Sequence, residues 1–309
     1  MPKIRYISKD FRAATLQQIH LCNDIIAEYQ ELEMTLTLRQ LYYQLVARGF
    51  IPNKQLEYSK LSRVMSDARL AGLVDWHSLE DRTRFMRATP HWATPDELVK
   101  TAANQFRIDK WEKQDFHVEV FIEKDALVGV IEAVCRNLDI TYASCRGYMS
   151  QSMMWEAGQR IRYYAASGKQ ILIVHLGDHD PSGIHMSSDI EGRLRLFMGS
   201  YAGKLAFKRI ALNFDQVEEH NPPPNPAKMT DPRSKEYVAL HGDESWELDA
   251  LDPKVIAGLI EESVLEVRDE TAWGIAVEEE DQHRKSLRVI SKHFSDIESF
   301  IEDEGFADE

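Results

Sequence analysis

Two stretches decide the fold: HVEVFIE at residues 117–123 and ILIVHLGDHDPSG at residues 171–183. Both are short apolar runs rich in β-branched residues. They end on acidic turns, the first at Glu123 and the second at Asp178 and Asp180. Such runs read as buried strands. Between them, helical spacing runs from about Ala126 to Asn137 and from about Ser152 to Ala165, separated by the extended ITYASC at 140–145. A further helix from about Ile184 to Phe197 leads into the strand FKRIAL at 207–212. Strands alternating with helices imply a parallel sheet covered by helices on both faces. The carboxyl ends of its strands line one edge, where ligands bind. Glu123, Asp178 and Asp180 are therefore expected to converge there. Three carboxylates in one site repel one another, and their hard oxygens suit Mg2+, which retains waters and shares positions with phosphate. Taken alone, Asp-x-Asp is a common turn or helix cap; the strand-terminal Glu123-Lys124 is what raises it to a metal-site expectation.

Upstream of this sheet the pattern is helical. A first helix is expected from about Ala13 to Glu31, and a second in LRQLYYQLVARGF at 38–50, closed by Gly49 and Pro52. A third spans about Glu57 to Ala71, followed by GLVDWHSLEDRTR at 72–84, which reads as a short strand and turn. Three helices followed by a β-wing describe a winged-helix module. On the second helix, Leu38, Leu41, Tyr42 and Leu45 form the expected core stripe. Arg39 and Tyr43 share a neighbouring face, with Tyr43 expected to present its hydroxyl outward. An arginine one turn away can pair with a phosphate oxygen. Arg63, Arg69, Arg82, Arg84 and Arg87 are candidates for DNA phosphate contacts. The loop CRGYMSQS at 145–152 admits two readings, a helix cap by Ser150 or backbone contacts to phosphate.

The net charge of −14 is unevenly spread. Residues 1–240 carry 31 Lys+Arg against 30 Asp+Glu, whereas residues 241–309 carry 6 against 21. The body can therefore meet a polyanion, and the acidity belongs to the tail. Residues 221–228, NPPPNPAK, mark a connection, after which the chain is acidic and mostly helical. Near its end Val289, Ile290, Phe294, Ile297 and Phe300 are spaced like the packed face of a helix running from about Ser286 to Glu302. Cys22, Cys135 and Cys145 lack metal-ligand spacing and read as buried thiols of a reducing compartment. No apolar run approaches the length of a membrane helix, and MPKIRYISKDFRAATLQQ lacks the apolar centre of a secretory signal, so a cytoplasmic, nucleoid-associated protein is expected.

The order RQLYY at 39–43, Glu123-Lys124, then DHDPSG at 178–183 resembles the A subunit of type IIB DNA topoisomerases, topoisomerase VI, and its relative the meiotic double-strand-break protein. WELDAL at 246–251 also resembles an element of that family. The resemblance implies an α+β two-domain fold. A CAP-like winged-helix domain over 1–105 would be followed by an α/β Toprim domain over 106–222 and a helical acidic extension over 223–309. It places the nucleophile on Tyr43, its arginine on Arg39, and the Mg2+ ligands on Glu123, Asp178 and Asp180. It further implies cleavage of double-stranded DNA through a 5′-phosphotyrosyl bond, in a homodimer where the tyrosine of one subunit works with the metal of the other. The chain is short for that subunit and has no Gly-rich ATP-binding segment, so it is most similar to the stand-alone, reduced mini-A proteins. Cutting and rejoining are what this implies, with strand passage requiring a separate B-type ATPase. A Toprim nuclease using metal-activated water and a non-catalytic DNA-binding component are the alternatives.

Overall fold

The computed structural model describes residues 3–32, 34–80, 89–227, 231 and 233–304. The first third holds α1 (Ala13–Gln30), β1 (Leu36–Thr37), α2 (Leu38–Ala47), α3 (Gln55–Leu70), β2 (Leu79–Glu80) and α4 (Pro95–Gln105). Next come β3 (Phe116–Ile122), α5 (Val128–Asn137), β4 (Thr141–Ser144), α6 (Gln151–Ala166), β5 (Gln170–Leu176), α7 (Pro181–Met198), β6 (Leu205–Ala211) and α8 (Phe214–His220). The remainder is β7 (Asn225–Pro226), α9 (Ser234–His241), β8 (Glu244–Ser245), α10 (Pro253–Leu265), α11 (Glu270–Lys292) and α12 (Phe294–Asp303). No described helix is long and apolar enough to cross a membrane. All three cysteines are buried and free.

Contacts gather the chain into two compact units. The first comprises Met1–Arg84 and Phe116–Val267, the second Phe85–Asp115 and Arg268–Glu309. These limits differ from the sequence-based ones. The 105/106 boundary falls inside the second unit, and the expected 223–309 extension is shared between both.

The first unit is α+β, built on a four-stranded parallel sheet in the order β4-β3-β5-β6. β5 shows why two-sided cover was legible. Ile171 and Ile173 join Met154, Ile161, Met186 and Ile190 in one core, while Leu172, Val174 and Leu176 on the opposite face are equally buried. α6 packs on α7, and α5 packs on α10. From β3 the chain passes first to β4 on one side and later to β5 on the other, so the order reverses between β3 and β5. Their carboxyl ends flank the crevice that such a reversal opens.

Helices α1, α2 and α3 enclose a second core of Ile19, Ile25, Tyr29, Leu41, Leu45, Leu61 and Met65. β2 pairs in parallel with β1 in register Leu36 with Leu79. The turn expected beyond β2, with Arg82, Arg84 and Arg87, lies outside the described residues.

In the second unit α11 packs along α4. Trp111 meets Trp273 edge to face, and Gln114 and Asp269 exchange side-chain to backbone bonds of 2.9 and 2.7 Å. Glu280, buried, pairs with Lys110 at 2.6 Å and Arg284 at 2.7 Å. Two expectations change. The terminal helix is broken at His293 into α11 and α12, and Val289, Ile290 and Phe300, read as a packed face, are exposed. Helical spacing reports that a face is apolar, and a partner surface must still exist to cover it.

Candidate functional site

α2 begins where Thr37 caps it. The Thr37 hydroxyl accepts from the Gln40 N–H at 3.3 Å, and Gln40 Oε1 accepts from the Thr37 N–H at 2.7 Å. This reciprocal box fixes the helix phase, and thereby the directions of Arg39, Tyr42 and Tyr43. Both tyrosines are buried, each only 4% exposed, which corrects the expected outward placement of Tyr43. The segment 246–251 lies against that face of α2. Tyr42 is anchored locally, donating to Asn53 Oδ1 at 3.0 Å and accepting from the Lys54 N–H at 2.8 Å. Tyr43 reaches across the chain instead, and its hydroxyl donates to Glu247 Oε2 at 3.0 Å.

That carboxylate oxygen has two cationic neighbours. Lys124 Nζ lies 3.0 Å from it, and the Arg39 guanidinium also donates to it. Arg39 Nε is 3.0 Å from Asp249 Oδ2, while Lys124 is 3.4 Å from Asp249 Oδ2 and 3.0 Å from Asp178 Oδ1. Two cations thus serve Glu247, Asp249 and Asp178. Burial would raise the Glu247 pKa, but Lys124 and Arg39 outweigh it and hold it down at about 2. For Lys124 and Arg39, burial works against the charge, and the carboxylates outweigh it, so both pKa values rise. The Tyr43 phenol is pushed up to about 12 by burial and by the Glu247 charge, partly offset by Arg39.

The strand-terminal acids sit beside this network. Glu123 Oε2 accepts the Asp178 N–H at 2.8 Å, bridging the ends of β3 and β5. Asp178 Oδ1 also accepts the Leu248 N–H at 2.8 Å. Asp180 caps α7, accepting from the Gly183 N–H at 2.6 Å and the Ser182 hydroxyl at 2.9 Å. Burial raises the carboxyl pKa of Asp178 to about 7 even beside Lys124, and burial raises that of Glu123 as well. His179, between the two aspartates, is buried among Phe214, Tyr237, His241 and Trp246. Its backbone forms a two-bond bridge with Trp246, at 2.8 and 2.9 Å, which sets Glu247 and Leu248 beside Asp178. Beneath the loop, Arg209 donates to the carbonyls of Gly177, Asp178 and Leu212 at 2.9, 2.7 and 3.1 Å.

The expected convergence of Glu123, Asp178 and Asp180 is therefore only partial. Among the described residues no three His, Cys, Asp or Glu side chains are gathered as a metal-binding group, and each of the three acids accepts a backbone N–H. Their chemistry nonetheless suits a hard divalent cation. They supply oxygen donors only, burial disfavours the charge of Glu123 and Asp178, and the adjacent Asp249 Oδ1 is buried with no hydrogen-bond partner.

Of the arginines expected to contact phosphate, Arg63 is exposed on α3, whereas Arg69 donates to the Leu79 carbonyl at 2.9 Å and is partly structural. Arg39 and Arg69 line a cleft of about 600 Å³ with Ser62, Ser66, Tyr58 and Trp76. At 145–152 the Ser150 hydroxyl accepts the Met153 N–H at 3.2 Å, the helix-cap arrangement. Glu247, Asp249 and Arg209 are not singled out by the sequence, and Lys124 is read there only as the neighbour of Glu123. Lys124 and the two acids stood within the quoted Glu-Lys and WELDAL stretches, but nothing local assigns them to a tyrosine some 200 positions from Glu247 (204 in the chain). No family model, curated protein or solved structure matches the chain.

Proposed function

We propose that this protein is a magnesium-dependent DNA-cleaving transesterase of the topoisomerase VI A-subunit kind, with Tyr43 as its nucleophile. One observation carries the reading: Tyr43, Arg39 and the strand-terminal Asp178, far apart in sequence, belong to one connected network through Lys124 and Glu247, and Glu123 joins it through the Asp178 N–H. On this reading α1–α3 are a CAP-like winged helix that grips duplex DNA, and the parallel sheet with its helices is a Toprim domain.

In the proposed reaction the Tyr43 oxygen attacks a backbone phosphorus in line. An O–P bond forms, the bond from phosphorus to the 3′ oxygen breaks, and the products are a 5′-phosphotyrosyl linkage and a free 3′-hydroxyl. The phenol proton passes to solvent water as the O–P bond forms, the departing 3′ oxygen takes a proton from solvent to become the hydroxyl, and a cation beside the ring favours the phenol's loss of its proton. Arg39 supplies it, with its guanidinium over the Tyr43 ring at 5.8 Å from the centroid. Magnesium held by Glu123, Asp178 and Asp180 would polarise the phosphate and stabilise the departing 3′ oxygen. Storing the bond as a phosphotyrosine makes cleavage reversible. A homodimer would cut both strands, each Tyr43 working with the acids of its own subunit where the resemblance implies a cross-subunit pairing, with its twofold axis matched to that of the duplex. A separate B-type ATPase is the partner strand passage would require.

Burial of Tyr43 favours one rival, a nuclease that activates water and leaves the tyrosine idle. Incubation with duplex DNA and Mg2+, quenched in denaturant, separates them. The proposal expects a covalent protein–DNA adduct that Tyr43→Phe abolishes. Cleavage without an adduct, retained in Tyr43→Phe, would establish the water-activating enzyme.

A further inference from the structure

Glu247 Oε2 is a single anionic oxygen facing the Tyr43 hydroxyl, the Lys124 ammonium and the Arg39 guanidinium. Two cations and a hydroxyl on one oxygen form the donor set that a phosphodiester oxygen takes. The three acids of the network are not equivalent. The side chains of Asp249 and Asp178 are 1% and 11% exposed, whereas that of Glu247 is 30% exposed and that of Arg39 45%. Arg39 also lines the open cleft beside α3. If the Glu247 carboxylate swings away, Asp249 still holds Arg39 at 3.0 Å and Asp178 still holds Lys124 at 3.0 Å. Both cations remain aimed at the vacated position.

We propose that Arg39, Lys124 and the Tyr43 hydroxyl form a phosphodiester subsite, occupied in the free protein by the chain's own Glu247 carboxylate and claimed by a DNA backbone phosphate on binding. The identity of the phosphate as DNA rests on the functional reading above. Two consequences follow. Without DNA the nucleophile is capped, because a carboxylate beside the phenol opposes its ionisation. With DNA, the group that displaces the carboxylate is the one the tyrosine attacks. Lys124 becomes a direct phosphate ligand, and Glu247 the residue that keeps the site closed.

The test measures binding without chemistry. In a Tyr43→Phe background, with EDTA present, a short fluorescein-labelled duplex is titrated by anisotropy at several salt concentrations. Glu247→Gln keeps the side-chain size and removes the competing charge. Binding should tighten about tenfold, the worth of one charge-assisted hydrogen bond freed from competition. Its salt dependence should steepen by about one phosphate contact. In a Lys124→Met background the same Glu247→Gln change should give little gain, whereas simple loss of one negative charge would give the same gain in both. Circular dichroism and melting of each variant confirm that it is folded, and Glu247→Asp, retaining the charge, should bind like its parent. Unchanged or weaker binding by folded Glu247→Gln, or an equal gain with and without Lys124, overturns the subsite. The covalent-adduct assay on the Tyr43 protein is independent of this result. Tighter binding without adducts would keep the subsite and remove the nucleophile; adducts with no Lys124-dependent gain would do the reverse.

Discussion

Gly183 and Gly192 lie on the same helix, α7, and the structure requires alanine at the two positions to act with opposite sign. A Cβ at Gly183 would stand 2.3 Å from the Asp178 carbonyl oxygen, 3.0 Å from its carbon and 3.2 Å from its nitrogen. Ordinary contact begins near 3.4 Å, so loop and helix must part by about 1 Å. Neither is free to move, because Arg209 is bonded to the Asp178 and Gly183 carbonyls at 2.7 and 3.2 Å, and Asp180 is bonded to the Gly183 N–H at 2.6 Å. Overpacking costs about 1–3 kcal/mol, and loss of the cap adds about 1 kcal/mol. Gly183→Ala should therefore destabilise by about 2–4 kcal/mol. At Gly192, exposed and with no atom within 4 Å of the added carbon, alanine should stabilise by up to about 1 kcal/mol through helix propensity. Urea unfolding followed by far-ultraviolet circular dichroism reads both differences. On the functional reading, Gly183→Ala should also raise the Mg2+ needed for cleavage. A Gly183→Ala protein with the parent's unfolding midpoint would refute the idea of a loop clamped between Arg209 and the start of α7.

Four further outcomes are expected. Tyr42→Phe should lose about 1–2 kcal/mol with the anchor to residues 53–54 yet retain adduct formation, whereas Tyr43→Phe should weaken DNA binding by no more than a few-fold, the share of one hydroxyl contact, and form no adduct. His175 is held neutral at about 3 by burial and by Arg209, so below pH 6.5 the unfolded chain binds a proton that the folded one refuses. Stability should fall from pH 6.5 towards 3 by up to about 1.4 kcal/mol per unit from this group, and folded His175→Gln should show a shallower slope in acid titrations of unfolding. Asp180→Ala should cost about 1 kcal/mol of metal-free stability through the lost cap, while Asp180→Asn, itself a good cap, should cost little and impair only Mg2+-dependent cleavage. Removing residues from 275 onward strips α4 of α11 and Lys110 of Glu280, so the tail's charge is better tested by neutralising exposed Glu298, Glu302 and Asp303, which should tighten non-specific DNA binding most at low salt.

The sequence by itself determined the parallel sheet, because two-sided burial writes unbroken apolar runs such as ILIVHL and turn chemistry such as DHDPSG punctuates them. It also separated the acidic tail from a nearly neutral body and marked α2 through its amphipathic spacing and the Gly49 and Pro52 that close it. Only the tertiary structure decided who partners whom. Helical period distinguished Tyr42 from Tyr43, but 246–251 covers the second tyrosine as completely as the core covers the first. Likewise, convergence of acids at a sheet edge follows from topology, whereas the partner of each carboxylate depends on angstrom-scale backbone placement. Asp180 turns to cap α7, Glu123 to the Asp178 N–H, and Lys124 enters among Asp178, Glu247 and Asp249. Periodicity and turn signals extend over a few residues, while these contacts are made by long side chains from distant segments. Their geometry exists only once burial has brought those segments together.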